Sequence, residues 1–180
     1  MTRLKALNPD TTNGKTGELF TAVKKKLGMV PNMMRTMGNS PALLEGYLNL
    51  SSALGGGTLG GKLGEQIALA VAEENSCAYC ASAHTLIAGK MLGVDDATIL
   101  ASRKAESGDL KVRAALQFAK TLVQKKGLVS DADVNGVRNA GYTEGEIGEM
   151  VGHVALNVLT NYFNNTAQTE VDFPKVTLLK

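Results

Sequence analysis

Apolar residues recur every three or four positions along most of the chain, which is the spacing of α-helices. In the stretch NGKTGELFTAVKKKLG, for example, Leu19, Phe20, Val23 and Leu27 share one face, and Gly28 supplies a C-terminal stop. The sequence lacks the alternating apolar and polar positions with hairpin turns that would indicate β-strands. The pattern therefore predicts an all-α fold, with only the tail VDFPKVTLLK extended.

Capping residues mark where several of the helices begin. Ser40 followed by Pro41 is typical of an N-cap and a first helical residue. Ser130 and Thr143 precede two further helices, and Glu146 completes a capping box with Thr143 that opens one long final helix. The remaining helices are predicted after Pro31 and in the stretches LGGKLGEQIALAVAEENS, CAYCASAHTLIAGKMLG, DDATILASRKAES and DLKVRAALQFAKTLVQKKG.

Two of these helices differ in how much of their surface is apolar. LGGKLGEQIALAVAEENS is apolar over much of its circumference, so we expect it to be buried. DLKVRAALQFAKTLVQKKG is amphipathic and has one apolar side. We expect the following residues on its inward side: Leu110, Val112, Ala115, Leu116, Ala119, Leu122 and Val123.

Length and charge limit the class of protein. The 180 residues, of which 44% are hydrophobic and 20% charged, suit one domain spanning residues 1–180. A net charge of +2 does not suggest a nucleic-acid partner, and no run of eighteen apolar residues predicts a membrane span. The N-terminal stretch MTRLKALNPDTTNG lacks the apolar core of a signal peptide, so we expect a cytoplasmic protein.

The stretch NSCAYCASAHTL carries both cysteines of the chain and one of its two histidines. We expect Asn75 or Ser76 to cap a helix that begins near Cys77, which places both thiols in its first turn. Backbone N–H groups and the helix dipole stabilise a thiolate there, and a second thiol three residues away can trap an oxidised first one as a disulfide. His84, four residues after Cys80, lies on the same stripe and can exchange a proton with a cysteine sulfur.

A histidine base is usually oriented by a third group, and the preceding helix offers Glu65. If the two helices fold back antiparallel about Asn75 and Ser76, Glu65 and His84 come within about 3 Å of the same level. Glu73 and Glu74 fall near the turn instead, where we expect them to be solvated.

Other interpretations of these residues stay open at this point. The cysteines can be small buried core residues without chemistry. A zinc site can use Cys77, Cys80 and His84, with Glu65 or His153 as the fourth ligand. His153 is otherwise expected to be a hydrogen-bonded core histidine.

The full spacing is Glu65, eleven residues, Cys77, two residues, Cys80, three residues, His84. It resembles the alkyl hydroperoxidase D (AhpD)-like branch of the carboxymuconolactone decarboxylase family. The flanking stretches LGMVPNMMRTMGNSPALLEGYLNL and NYFNNTAQTEVDFPKV are similar to its peroxidase-related subgroup. The resemblance implies an AhpD-like helical bundle built around the CxxC hairpin, assembled as homotrimers or hexamers.

The resemblance also implies thiol peroxidase chemistry without haem, metal or other cofactor. Cys80 would be oxidised to the sulfenic acid, Cys77 would be the resolving thiol and proton donor, and His84 with Glu65 would relay protons. The best-known members have a histidine where this chain has Tyr79, which we expect to face away from the cysteines. Decarboxylase members generally lack the cysteine pair.

We therefore expect a thiol-dependent alkyl hydroperoxide reductase that acts on a hydroperoxide and is reduced by an external dithiol or lipoyl-type partner. One alternative is a disulfide reductase or electron-relay partner of another peroxidase. Another is a non-redox structural or zinc-binding helical oligomer. The stretch MMRTM at 33–37, with Tyr47 and Phe163, is a candidate lining for the substrate pocket.

Overall fold

The structure, a computed structural model, describes residues 2–179 of the chain. Within this range all regular elements are helical. The helices are α1 (Gly14–Leu27), α2 (Asn32–Met37), α3 (Pro41–Gly55), α4 (Gly60–Glu74), α5 (Ala78–Leu86), α6 (Asp96–Arg103), α7 (Leu110–Gln124), α8 (Asp131–Asn139) and α9 (Glu144–Ala167). A π-helical turn, Ile87–Met91, continues α5. The all-α prediction is confirmed. Across residues 2–179, none of the helices has the length and apolar character needed to cross a membrane.

Three of the predicted caps, Ser40, Ser130 and Thr143, form where the sequence placed them. Ser40 accepts a hydrogen bond from the Leu43 N–H, and Pro41 is the first residue of α3. Ser130 and Thr143 each form a complete capping box, the second with Glu146. These caps satisfy backbone N–H groups that otherwise lack partners at a helix start, and so they fix where α3, α8 and α9 begin.

Helix α4 lies at the centre of the molecule and packs against α5, α6, α7 and α9. Its residues Ile67, Leu69 and Val71 are fully buried, as the apolar circumference of this helix predicted. The inward face of α7 and the middle of α9 complete one core with α4. A second core joins α1, α2 and α3 to the start of α5. The α4–α5 hairpin is therefore held from both sides.

The predicted inward side of α7 is wrong at one position. Leu110 is 69% exposed, although Ala115, Leu116, Ala119 and Leu122 are buried and Val112 and Val123 are half-buried. Leu110 is the first residue of α7, directly after the N-cap Asp109. Helical periodicity assigns a face to a residue but does not establish that a neighbouring element covers that end of the helix.

Residues 171–179 of the C-terminal tail form no helix and contact α5 and α6, whereas Lys180, the last residue of the tail predicted as extended, lies outside the described residues. The Val176 N–H donates to Ser82 Oγ over 3.1 Å, and the Phe173 ring meets the Tyr79 ring edge-on at 5.5 Å. Arg103 Nη2 on α6 donates to the Thr177 carbonyl over 2.6 Å. These contacts place the tail over the helix that carries the cysteines.

Candidate functional site

Cys77 and Cys80 form a disulfide at the start of α5, with Cα atoms 5.3 Å apart. Cys77 has no exposed surface and Cys80 is 2% exposed, so both sulfurs are enclosed by protein. Each sulfur accepts a hydrogen bond. The backbone N–H of Cys80 donates to Cys77 Sγ over 3.2 Å, and Asn164 Nδ2 on α9 donates to Cys80 Sγ over 3.4 Å.

The N-cap of α5 is Cys77 itself, which corrects the prediction that Asn75 or Ser76 caps this helix. Asn75 ends α4, and Ser76 adopts a left-handed conformation with φ of 51° that reverses the chain. Because the reversal uses both residues, the first side chain able to reach the free N–H groups of α5 is the Cys77 sulfur. The Cys77 sulfur is therefore hydrogen-bonded to the backbone at the start of α5, a contact that the sequence did not predict.

The predicted contact between the two hairpin helices is confirmed. His84 Nδ1 lies 2.7 Å from Glu65 Oε2, and each side chain is 20% exposed. Burial disfavours the charged imidazolium, but the Glu65 carboxylate, its hydrogen bond and a further hydrogen bond with the Asn157 side chain outweigh burial. The net result is a pKa for His84 above its ordinary value of 6.5.

This raised pKa predicts a pH-dependent contribution of His84 to stability. The pair stabilises the fold in full below the unfolded histidine pKa of about 6.5, and this is lost as the pH rises through the higher folded pKa. We therefore expect the difference in Tm between the wild type and His84→Gln to shrink as the pH rises above about 6.5 and through the raised folded pKa. The disulfide form should be used, because its cysteines do not titrate. A difference that grows with pH would contradict the assignment.

Glu73 and Glu74 are not solvated, which corrects a second prediction. Glu73 is 3% exposed and forms a buried ion pair with Arg103, whose Nε lies 2.6 Å from Glu73 Oε1. The Glu74 side chain is 9% exposed and pairs with Lys120 over 3.3 Å. Their partners come from α6 and α7, which are distant in sequence and pack on α4.

His153 is a buried histidine beside the pair, 8% exposed. A methyl group added at Gly64 would lie 2.9 Å from its Cε1, so this glycine lets the ring pack directly on α4 next to Glu65. Burial lowers the pKa of His153 more than Glu149, Glu65 and a hydrogen bond to the Leu54 backbone raise it. His84 and His153 are therefore shifted in opposite directions, and only His84 is favoured as an imidazolium.

The side chains considered above as zinc ligands do not form a metal-binding group in the described part of the chain. Between residues 2 and 179, no group of three or more His, Cys, Asp and Glu side chains is placed to bind a metal ion. His84 is engaged by Glu65, and the two sulfurs are bonded to each other.

Tyr79, which lies between the two cysteines, anchors α5 to its surroundings. Its hydroxyl accepts from the Met33 N–H over 3.1 Å, so it contacts α2. Burial is the largest cause that raises the pKa of Tyr79 well above its ordinary range, and the negative charge of Asp172 raises it further. Tyr79 thus does not titrate near neutral pH.

The predicted pocket-lining residues lie in the core that contains the cysteines. Met33, Met34 and Met37 are buried there, and Tyr47 and Phe163 pack against it. Burial, with the Glu65 carboxylate as the next cause, raises the pKa of Tyr47 to about 12. Tyr47 therefore stays a neutral phenol beside the Glu65–His84 pair.

Helix α9 contributes polar residues that sequence reasoning missed. Asn164 contacts Cys80, Asn161 accepts from Asn75 Nδ2 over 3.0 Å, and Asn157 interacts with His84. All three are buried. Their spacing of four and three residues places three amides on one face of α9, and this was the available signal, because buried amides need polar partners.

The fold and the site define an all-helical protein with a buried CxxC pair one helical turn from a Glu–His ion pair. Residues 41–121 match the model of the Carboxymuconolactone decarboxylase family. A sequence search of curated proteins found no match.

Solved structures of similar fold cover nearly the whole chain. A peroxidase-related protein from Silicibacter sp. TM1040 has 23% identity and a TM-score of 0.82, covering 94% of this chain and 91% of its own. A second peroxidase-related protein, described as an alkylhydroperoxidase AhpD core, from Ralstonia eutropha JMP134, has 24% identity and a TM-score of 0.83, covering 95% of this chain and 92% of its own. The debrominase Bmp8 with 2,3,4-tribromopyrrole has 20% identity and a TM-score of 0.81, covering 96% and 92%.

The segment that matches the carboxymuconolactone decarboxylase family model contains Glu65, Cys77, Cys80 and His84. The fold of the chain is AhpD-like. The resemblance inferred from the sequence is confirmed at the level of family and fold.

Proposed function

We propose that the protein is a thiol-dependent alkyl hydroperoxide reductase that uses Cys77 and Cys80 as its redox pair. One observation carries the proposal: the two sulfurs are bonded at the start of α5, and each accepts a hydrogen bond that also suits a thiolate. The Glu65–His84 pair supplies a proton donor one turn along the same helix.

The proposed cycle begins with the reduced protein. The Cys80 thiolate attacks the terminal oxygen of the hydroperoxide, an S–O bond forms, the O–O bond breaks, and the alkoxide leaves with the electron pair. The Cys77 thiolate then attacks the Cys80 sulfenic acid, forms the disulfide and displaces hydroxide, which is protonated to water. An external dithiol or lipoyl-type reductant restores both thiols and becomes a disulfide itself.

His84 is the proposed acid of this cycle. Its raised pKa increases the imidazolium fraction at a given pH, and this form can protonate the departing alkoxide. Glu65 orients the ring through its hydrogen bond with Nδ1. His153, whose pKa is lowered, is less suited to this task.

Removing the charge of Glu65 tests the relay. We expect Glu65→Gln to reduce hydroperoxide turnover near neutral pH by about a hundredfold, at the lower end of general acid contributions, because His84 remains. Thiol titration should also move to higher pH, since less imidazolium stabilises the thiolates. Glu45→Gln is the matched control, because Glu45 pairs with Lys15 on the surface. An unchanged titration curve would contradict the relay.

Two other activities are compatible with the same dithiol, and one substrate panel separates them from the proposal. Turnover should be compared on alkyl hydroperoxides, on lipoyl and protein disulfides, and on a brominated pyrrole, the compound class bound by Bmp8. The same dithiol reductants should be used throughout. The proposal expects the highest kcat/KM on a hydroperoxide. A preference for disulfides would favour the electron-relay alternative, and a preference for the brominated pyrrole would favour reductive debromination.

The trimeric or hexameric assembly and the identity of the reductant stay predictions. Sedimentation at several protein concentrations measures the first. Parallel assays with dihydrolipoyl and other dithiol reductants measure the second.

A further inference from the structure

Asn164 touches the sulfur that the proposed cycle oxidises. It lies on α9 and is 3% exposed, and its Nδ2 is 3.4 Å from Cys80 Sγ. Its Oδ1 is buried and has no hydrogen-bond partner among residues 2–179. A buried amide oxygen without a partner is costly, and such atoms are uncommon away from functional sites.

The position of Asn164 is fixed by its neighbours on α9. Asn165 Nδ2 donates to the Asn75 carbonyl over 2.9 Å, and Asn161 Oδ1 accepts from Asn75 Nδ2 over 3.0 Å. Both bonds tie α9 to the turn that precedes α5. The amide of Asn164 is thus held against the start of α5 by contacts that do not involve its own side chain.

The orientation of the amide follows from the oxidation state of its partner. A disulfide sulfur has no proton to donate, so only the N–H side of Asn164 can make a favourable contact with it. After reduction the same N–H faces a thiolate, and a hydrogen bond to a charged acceptor is roughly twice as strong as a neutral one. Asn164 therefore stabilises the reduced, ionised form of Cys80 more than the disulfide.

We propose that Asn164 is a further catalytic residue of this site: its amide N–H stabilises the Cys80 thiolate, and its amide oxygen accepts the O–H of the hydroperoxide. The second half rests on the proposed function, whereas the first holds for any reaction of this dithiol. During attack the proton of the terminal oxygen stays on that oxygen, which becomes the sulfenic acid. Asn164 Oδ1 accepts a hydrogen bond from this O–H group while the alkoxide leaves. The alkoxide is then protonated by His84.

The donor half is tested on Cys80 alone, in a Cys77→Ala background. In Asn164→Leu, which keeps the shape and removes both polar atoms, the pH midpoint of Cys80 alkylation should rise by about one pH unit. In the two-cysteine protein, equilibration with a dithiol should show the disulfide favoured about tenfold more, about 30 mV lower in potential. Asn139→Leu is the matched control, because it removes an exposed amide on α8, outside the elements that hold the cysteines, and it should leave the midpoint unchanged.

The acceptor half is tested at a pH where Cys80 is fully ionised in both proteins. The rate constant for sulfenic acid formation with an alkyl hydroperoxide should still be about tenfold lower in Asn164→Leu, as expected for one lost hydrogen bond in the transition state. This loss would run against the greater nucleophilicity of a more basic thiolate. Equal rate constants at that pH would overturn the acceptor half.

Failure of this inference is distinguishable from failure of the proposed function. A shifted midpoint in a protein without hydroperoxide turnover would keep the donor role and reject the peroxidase. An unshifted midpoint in folded Asn164→Leu would overturn the donor role, whatever the turnover. If Asn164→Leu does not fold, Asn164→Ala adds no bulk and is titrated in the same way, with the same two outcomes.

Discussion

Serine in place of Cys80 is expected to lower hydroperoxide turnover by roughly a thousandfold or more, because the variant lacks the nucleophile of the proposed cycle. A serine hydroxyl is not ionised near neutral pH, and its oxygen does not accept a second oxygen from a peroxide. The fold should persist, since serine is close in size to cysteine and can accept the hydrogen bond from Asn164. Steady-state turnover with an alkyl hydroperoxide and a dithiol measures the loss.

The Cys77→Ser variant is the matched control for the order of the two thiols. It should still release one equivalent of alcohol from the hydroperoxide and then stop at a sulfenic acid on Cys80, which a sulfenic acid-specific reagent can trap. Cys77 accepts a backbone N–H at the helix start, so this comparison also decides which sulfur is oxidised first. Full turnover in Cys80→Ser would reject the assignment of Cys80.

Loss of Arg103 is expected to have the largest effect on stability. Arg103 and Glu73 form an ion pair in which the two side chains are 8% and 3% exposed. Removing one partner of a buried pair leaves an uncompensated charge and costs about 3–5 kcal/mol. In a chain of this length, each kcal/mol lowers Tm by about 2–4 °C, so Arg103→Leu should melt about 6–20 °C lower than the wild type.

The same pair holds the C-terminal tail. Glu73 Oε2 accepts from the Leu179 N–H over 3.0 Å, while Arg103 donates to the Thr177 carbonyl. Arg103→Leu should therefore also become more sensitive to carboxypeptidase. The double variant Glu73→Leu with Arg103→Leu should recover much of the lost Tm, because no charge is left buried alone. A double variant that melts as low as the single one would show that the loss has another cause.

Most of the fold could be predicted because its signals are local. The caps at Ser40, Ser130 and Thr143 and the helical period are each encoded within a few residues, and the structure confirms them. The error at Leu110 has the opposite origin. Whether the first turn of α7 is covered depends on packing partners that periodicity does not identify.

In the candidate site too, contacts between residues near one turn could be predicted, whereas contacts between residues far apart in the sequence could not. The contact of Glu65 with His84 follows from counting residues on either side of one turn, and it is confirmed. The partners of Glu73 and Cys80 could not be predicted, because Arg103 and Asn164 lie 30 and 84 residues away along the chain. The cap of α5 was also missed, since sulfur is not among the usual capping atoms and the reversal at Ser76 was not anticipated.

The proposal that Cys77 and Cys80 are the redox pair of a hydroperoxide reductase is tested most directly by a single turnover. The protein is fully reduced, freed of reductant and mixed with one equivalent of an alkyl hydroperoxide; alcohol and the Cys77–Cys80 disulfide are then quantified by mass spectrometry. The proposal predicts that both form in equal amounts, with the disulfide appearing no faster than the alcohol. Consumption of the hydroperoxide without this disulfide, or an unreacted dithiol beside intact hydroperoxide, would contradict it.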